Sequence, residues 1–133
     1  VPPRDAALFG APLQCQSADM NTRPPAPASF PLARARAAPL PPGRLSAQVF
    51  THGSLELRWY APQGVDPQTP HGRDEVYIVA SGSGWFLRGG ERFPCTTGDA
   101  LFVAAGIAHR FEDFTADFGT WVMFYGPEGG ERA

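Results

Sequence analysis

A histidine and a glutamate stand four residues apart at the start of an alternating apolar segment, TPHGRDEVYIVASGSG, residues 69–84. If this segment is extended, residues of equal parity share one face, so Thr69, His71, Glu75, Tyr77 and Val79 all point the same way. An imidazole and a carboxylate are both potential metal ligands. The pattern therefore predicts that two such ligands point together into whatever this face encloses.

A third candidate, His109, lies in the stretch TGDALFVAAGIAHRFED, residues 97–113, just past a turn-like AAG and at the start of a further predicted strand. Together the two stretches resemble the paired motifs of the cupin superfamily. The first motif of that family is G, five residues, H-x-H, three or four residues, E, six residues, G. The second is G, five residues, P-x-G, two residues, H, three residues, N.

The first motif matches this chain at three positions and departs from the family at two. His71 falls on the second histidine, Glu75 follows after three residues, and Gly82 follows after six more. Thr69 occupies the place of the first histidine, and the opening glycine is displaced, with Gly64 one residue too close. This half of the resemblance supplies one of the two usual histidines and the usual carboxylate.

The second motif matches at Gly98, Gly106 and His109, all at the family spacing. Ala104 stands where proline is usual, and Asp113 stands where asparagine is usual. Three of the four usual ligands of the family are thus present. The resemblance covers about residues 45–125, and the two motifs together are far more specific than either alone.

The resemblance implies a metal centre formed by His71, Glu75 and His109. Two neutral imidazoles and one carboxylate bind a divalent first-row metal and leave positions open for water, substrate or dioxygen. A closed structural zinc site would need four protein ligands. Iron(II) suits this set best, while manganese, zinc, nickel and copper remain alternatives, and a barrel without metal is the competing interpretation.

A fourth ligand could come from either of two neighbouring residues. Parity favours Thr69, whose hydroxyl is a poor ligand that leaves its position to water. Pro70, however, can bend the chain so that Gln68 fills the vacant place instead. Both residues are therefore candidates for this position.

Aromatic residues on the predicted strands are candidates for the lining of a pocket around the metal, namely Tyr77, Trp85, Phe102 and Trp121. The alternative is that they fill the core, as most aromatic residues of strands do.

Short apolar or alternating runs separated by turn residues fill the chain from residue 45 onward, with no period of 3.6. The eight predicted strands are SAQVF, SLELRWY, EVYIVAS, GWFLRG, ERFPC, ALFVA, AHRFEDF and GTWVMFYG. The two glycines of RGGER predict a tight hairpin between the fourth and fifth. This pattern predicts an all-β fold, an antiparallel jelly-roll β-sandwich or barrel.

The predicted domain occupies residues 45–126. Residues 1–44 form a leader rich in proline, alanine and arginine, which we expect to be an irregular, extended or disordered arm. Residues 127–133 are expected to be a flexible tail. The first methionine is Met20, so translation could begin there.

Composition excludes several classes of partner. The eleven basic residues are all arginine, the net charge is -2, and no basic block marks a nucleic-acid-binding surface. No segment approaches the roughly 20 apolar residues that span a bilayer, so we expect no membrane association. Two cysteines, Cys15 and Cys95, are too few for a disulfide framework, which indicates a reducing, cytoplasmic compartment.

The functional hypothesis that these features favour is a metal-dependent oxygenase, a mononuclear dioxygenase, acting on a small organic molecule. One alternative is a noncatalytic cupin module that binds a small ligand in the same cavity. Another is a metal-independent sugar isomerase or epimerase, which would need a positioned acid and base. The resemblance also suggests a homodimer.

Overall fold

A computed structural model describes residues 25–132 of the chain, which form one short helix and eight strands. The helix α1 spans Leu32–Ala37. The strands are β1 (Ala47–His52), β2 (Leu55–Tyr60), β3 (Asp74–Ser81), β4 (Ser83–Arg88), β5 (Glu91–Thr96), β6 (Ala100–Val103), β7 (His109–Glu112) and β8 (Gly119–Tyr125). Each predicted strand is present, with ends that differ by a few residues.

The strands form two antiparallel sheets. One has five strands in the order β1-β2-β8-β3-β6, and the other has three in the order β5-β4-β7. Strands that are distant in sequence are neighbours in both sheets, as in β2 with β8 and β4 with β7. The predicted antiparallel jelly-roll β-sandwich is confirmed.

The core lies between the two sheets and follows the alternation of the strands. In β3, Tyr77 and Val79 are each 1% exposed, whereas the residues that precede them, Val76 and Ile78, are only half-buried. Phe86 of β4 contributes the equivalent inward position of the small sheet. The core cluster comprises Tyr60, Tyr77, Val79, Phe86, Cys95, Val103, Phe111, Phe118 and Val122.

Two glycines that the sequence marks as turn residues are required by the backbone. Gly82, between β3 and β4, has a φ of 75°, and a Cβ there would clash with the Thr115 hydroxyl oxygen and lie 2.9 Å from the Cα atom of Phe118. Gly89 begins the predicted tight hairpin between β4 and β5 with a φ of 61°. Both conformations suit glycine because it lacks a Cβ.

The prediction of an extended leader is wrong over residues 32–37, where the chain forms α1. The segment between Pro31 and Pro39 contains no proline, and its alanines and arginines have high helix propensity. Ala35 is fully buried, and the guanidinium of Arg36 lies 6.0 Å from the ring of Trp59 on β2. Residues 1–24, including Cys15 and Met20, lie outside the described residues.

The end of the chain makes hydrogen bonds with the loop before β3 and with its first residue. The Gly129 N–H donates to the Gly72 carbonyl at 2.7 Å, and the Glu131 N–H donates to the Asp74 carboxylate at 2.8 Å. The bond from Glu131 and another from the Ala105 N–H lower the pKa of Asp74. The segment predicted as a flexible tail is therefore bonded to the domain as far as Glu131. Within residues 25–132, the only helix is too short to span a membrane.

Helix α1 contacts Trp59 of β2 through Arg36 and buries Ala35, so a charge at Ala35 should undock the helix. We expect Ala35→Asp to lower the free energy of unfolding by about 1–3 kcal/mol, because the carboxylate must leave the contact with the sheet. Tryptophan emission should shift to the red as Trp59 becomes exposed. Ala33→Asp, on the exposed side of the same helix, is the control. Equal melting temperatures for the two variants would contradict the docking of α1.

Candidate metal centre

Glu75 is the most unusual side chain of the interior. It is the second residue of β3 and shares the inward face with Tyr77 and Val79. The residue is 1% exposed, and its two carboxylate oxygens accept no hydrogen bond from any residue that the structure describes. A buried carboxylate without partners is costly unless a cation compensates it.

His109 approaches one oxygen of this carboxylate from the other sheet. It is the first residue of β7, and its Nε2 lies 3.3 Å from Oε1 of Glu75. The Nδ1 of His109 donates a hydrogen bond to the Ile107 carbonyl at 2.8 Å. Because a carbonyl only accepts, this bond requires the proton on Nδ1, and in the neutral ring it leaves the Nε2 lone pair free. Burial alone would lower the pKa of His109, but the Glu75 carboxylate, the Ile107 carbonyl and the Asp66 carboxylate together outweigh it and raise that pKa.

His71 approaches the other oxygen from the loop before β3. Its Nε2 lies 3.6 Å from Oε2 of Glu75, and its ring packs against the rings of His109 and Phe124. The loop is held in place because the Gly106 N–H donates to the His71 carbonyl at 2.7 Å. Burial lowers the pKa of His71, which favours the neutral imidazole that a metal ligand must be.

Gln68 completes a fourth side of the cluster. Its Oε1 lies 3.2 Å from His71 Nε2 and accepts a hydrogen bond from the Tyr77 hydroxyl at 2.9 Å. Its Nε2 donates to Asp66 at 2.6 Å, which directs Oε1 toward His71. Thr69 is exposed. The structure therefore brings Gln68, and not Thr69, to the cluster.

Alternation predicted Thr69 because it treated residues 69–79 as one strand. β3 begins at Asp74, and the preceding residues form a loop that contains Pro70 and Gly72. Parity holds only along a regular strand, so it is valid for Glu75 and Tyr77 but does not extend to residue 69.

Asp66 is a positioning residue that the sequence analysis missed. This buried carboxylate accepts hydrogen bonds from the backbone and side chain of Gln68, from the Phe111 N–H of β7 and from the Tyr60 hydroxyl of β2. Burial and the neighbouring Asp66 raise the pKa of Tyr60, so its hydroxyl remains a donor. Asp66 thus joins both sheets to the loop that carries Gln68. Its position in VDPQ, two residues before a ligand candidate, was the only available signal.

Of the predicted pocket-lining residues, only Tyr77 reaches the cluster, with its hydroxyl 3.1 Å from His109 Nε2. Trp85 lies under the guanidinium of Arg92 at 4.0 Å, Phe102 is 45% exposed, and Trp121 packs edge-on against Trp59. The prediction is wrong for these three. The inward positions belong to their neighbours Phe86, Val103 and Val122.

A small cavity of about 30 Å³ adjoins the cluster, lined by Leu45, Ser46, Tyr60, Gln68, His71, Tyr77, Val122 and Phe124. Since a buried water occupies at least about 10–15 Å³ of such space, the cavity admits only a water or a similarly small group. The cluster therefore has room for a small additional ligand on this side.

The three ligand candidates fit one metal ion. Their ligand atoms lie within 4.8 Å of one another, and the carboxylate oxygens are 3.3 Å and 3.6 Å from the nearest imidazole nitrogens. Metal–ligand bonds of about 2.0–2.2 Å would place two ligands of one ion up to roughly 4.4 Å apart. His71, Glu75 and His109 could thus hold a metal ion with small adjustments.

We expect Glu75→Gln to abolish stabilisation by metal. Added zinc or manganese at about 100 times its dissociation constant should stabilise the parent by about 2.7 kcal/mol, and the neutral amide should remove most of this gain. Thermal unfolding with and without metal measures the effect. Glu91→Gln, on the exposed β4–β5 hairpin, is the control. A Glu75→Gln protein with the same metal-dependent shift as the parent would exclude Glu75 as a ligand.

Comparison with known proteins agrees with this geometry. The family model described as Cupin domain matches residues 56–118, a range that contains all three ligand candidates. The uncharacterized protein SCO3923 of Streptomyces coelicolor is 40% identical over 63 residues, which are 47% of this chain and 60% of that protein. The chain thus spans less than two thirds of the length of this relative.

Solved structures show the same fold at low sequence identity. A Cupin 2 conserved barrel domain protein from Salinispora arenicola CNS-205 is similar with a TM-score of 0.58 and 21% identity, over 77% of this chain and 91% of that one. KdgF from Halomonas sp. is similar with a TM-score of 0.55 and 19% identity, over 62% and 78%. At these identities the likeness concerns the fold alone.

Proposed function

Since this chain belongs to the cupin superfamily, we propose that it is a metal-dependent oxygenase acting on a small organic molecule, with His71, Glu75 and His109 as metal ligands. The observation that carries the proposal is the buried Glu75 carboxylate, whose oxygens accept no hydrogen bond from the described residues and face two imidazole nitrogens. Two imidazoles and one carboxylate favour iron(II), with manganese, nickel, zinc and copper as competitors.

A first-row metal ion at this position would supply Lewis acidity and, in the case of iron, affinity for dioxygen. The protein supplies the arrangement around it. Ile107 fixes the orientation of the His109 ring, Gly106 holds the loop of His71, and Asp66 directs Gln68. Such supporting contacts tune a metal centre as much as the ligands do.

Tyr77 supports the proposal as a hydrogen-bond donor beside the open side of the cluster. Burial raises its pKa well above the usual value, so the hydroxyl keeps its proton. The hydroxyl lies between Gln68 Oε1 and His109 Nε2 and borders the small cavity. Its single proton is donated to Gln68 Oε1, so Tyr77 fixes the orientation of this amide beside the cluster, while the ring of Phe124 packs against His71.

The proposal is tested by reconstituting untagged protein with iron(II) under anaerobic conditions. We expect about one iron per chain in the parent and little in His109→Ala, because one of the three ligands is lost while the fold is retained. Nitric oxide, which reports a position open to dioxygen, should give a high-spin EPR signal with the loaded parent. His52→Ala, on the strand β1 outside the cluster, is the control.

Metal content separates the competing functions. Equal iron in His109→Ala and the parent would exclude this site. Absence of bound metal after reconstitution with iron, manganese and zinc would favour a noncatalytic ligand-binding module. Bound iron without a nitric oxide signal would contradict an oxygenase and leave a closed metal site.

The proposed fourth ligand has its own matched pair of variants. We expect Gln68→Ala to weaken metal binding by roughly 10- to 100-fold, the range for loss of a supporting group, and Thr69→Ala to leave it unchanged. Competition with a chromogenic chelator measures both dissociation constants. Weaker binding in Thr69→Ala, with no change in Gln68→Ala, would reverse the assignment.

A further inference from the structure

A larger cavity, of about 400 Å³, opens beside His71. Its volume falls in the range of small-molecule sites. It shares Leu45, Ser46, His71 and Phe124 with the small cavity at the metal cluster, so the two spaces adjoin. We call it the arginine cavity, because its charged lining consists of Arg44, Arg58, Arg73, Glu56 and Glu128.

Two of these arginines share one carboxylate. Glu56 Oε1 lies 3.1 Å from the guanidinium of Arg58, and Glu56 Oε2 lies 2.8 Å from that of Arg73. Arg58 is only 4% exposed, although an arginine in an alternating strand is usually solvated. This part of the cavity lining therefore contains two guanidinium groups and one carboxylate, so its net charge is positive.

The contacts of Arg58 fix its guanidinium in the cavity wall. Its N–H groups donate to Ser46 Oγ at 2.7 Å, to the Ser46 carbonyl at 2.9 Å, to Gln48 at 3.4 Å and to Glu56. Since a guanidinium has five N–H groups, these four bonds leave one for a ligand. The rigid position suits recognition of an anion because no side-chain entropy has to be lost on binding.

The other two charged residues stand at the rim. Arg44 is exposed, and its side chain makes no hydrogen bond or ion pair with any residue from 25 to 132. The Glu128 carboxylate lies against Gly72, in the loop after His71. Three guanidinium groups and two carboxylates thus surround the cavity, which leaves one positive charge in excess.

We propose that the arginine cavity binds the carboxylate of a small organic acid, with Arg44 and Arg58 as its donors. This inference rests on the proposed function, since it places the rest of the acid toward the small cavity and the metal cluster. One excess guanidinium matches one carboxylate, and the planar N–H fork of arginine suits its two oxygens. The substrate class is then a monocarboxylic acid with a second polar group.

The test compares two probes of nearly equal size that differ in charge: succinamate, with one carboxylate and one amide, and succinamide, with two amides. Binding is followed by NMR titration of the full chain, both metal-free and loaded with diamagnetic zinc. We expect succinamate to bind in both states and succinamide to bind at least about tenfold more weakly. A tenfold loss of affinity corresponds to the loss of one hydrogen bond to a charged group.

Arg44→Gln should weaken succinamate binding by about tenfold, and its exposed position means that folding is not at risk. Arg34→Gln removes the same charge from the exposed face of α1 and should bind as the parent does. Comparison of this pair separates a local contact from an effect of net charge.

The outcomes distinguish the two proposals. Succinamate binding that depends on Arg44 supports the carboxylate site even if the protein takes up no zinc, in which case the proposed function alone fails. Equal binding of the two probes, or equal affinities in Arg44→Gln and Arg34→Gln, overturns the carboxylate site. Succinamate binding that requires zinc and ignores Arg44 also overturns it, because the acid would then bind the metal only.

Discussion

The site depends on the carboxylate of Glu75, which is buried away from water and accepts no hydrogen bond from the described residues. An ionised group in the interior of a protein is stable only when other charges or dipoles replace its hydration. Glu75 meets one imidazole from the other sheet and one from the loop before β3, and neither donates a hydrogen bond to it. A divalent cation among these three side chains would provide the missing compensation.

A second buried acid shows the contrast. Asp66 is nearly as inaccessible as Glu75, yet it accepts hydrogen bonds from Gln68, Phe111 and Tyr60. These hydrogen bonds compensate its charge, and two of them join it to β7 and β2. Two carboxylates nine residues apart therefore have opposite roles: Asp66 holds the cluster together, and Glu75 remains open to a ligand.

Carboxylates also compensate positive charge in the arginine cavity beside His71. Glu56 forms ion pairs with both Arg58 and Arg73. The wall beside His71 therefore contains more guanidinium groups than carboxylate groups. A cluster suited to a cation and a wall suited to an anion thus adjoin through the small cavity. A molecule with a carboxylate at one end and a polar group at the other would satisfy both.

Much of the fold and the ligand set was predictable because their signals are local or spaced regularly. Alternation identified all eight strands, the glycines identified the turns, and the motif spacing singled out His71, Glu75 and His109, which the structure brings together as candidate ligands. These features are predictable because each depends on the pleat of a strand or on the backbone freedom of glycine. The helix α1 was missed because the prolines around it masked a short segment with high helix propensity.

Contacts between distant parts of the chain required the tertiary structure. Gln68 reaches the cluster because Asp66 binds it while also binding Phe111, 45 residues away. Arg58 is held in the interior by hydrogen bonds that it donates to the hydroxyl and carbonyl of Ser46, 12 residues earlier. The sequence by itself determined the strands, the turns and the three ligand types. Which face of each strand points inward, and therefore which aromatic rings face outward, was decided by the packing of the two sheets against each other. Which of Gln68 and Thr69 faces the cluster was decided only when the loop before β3 bonded to both sheets, because alternation does not extend beyond a regular strand.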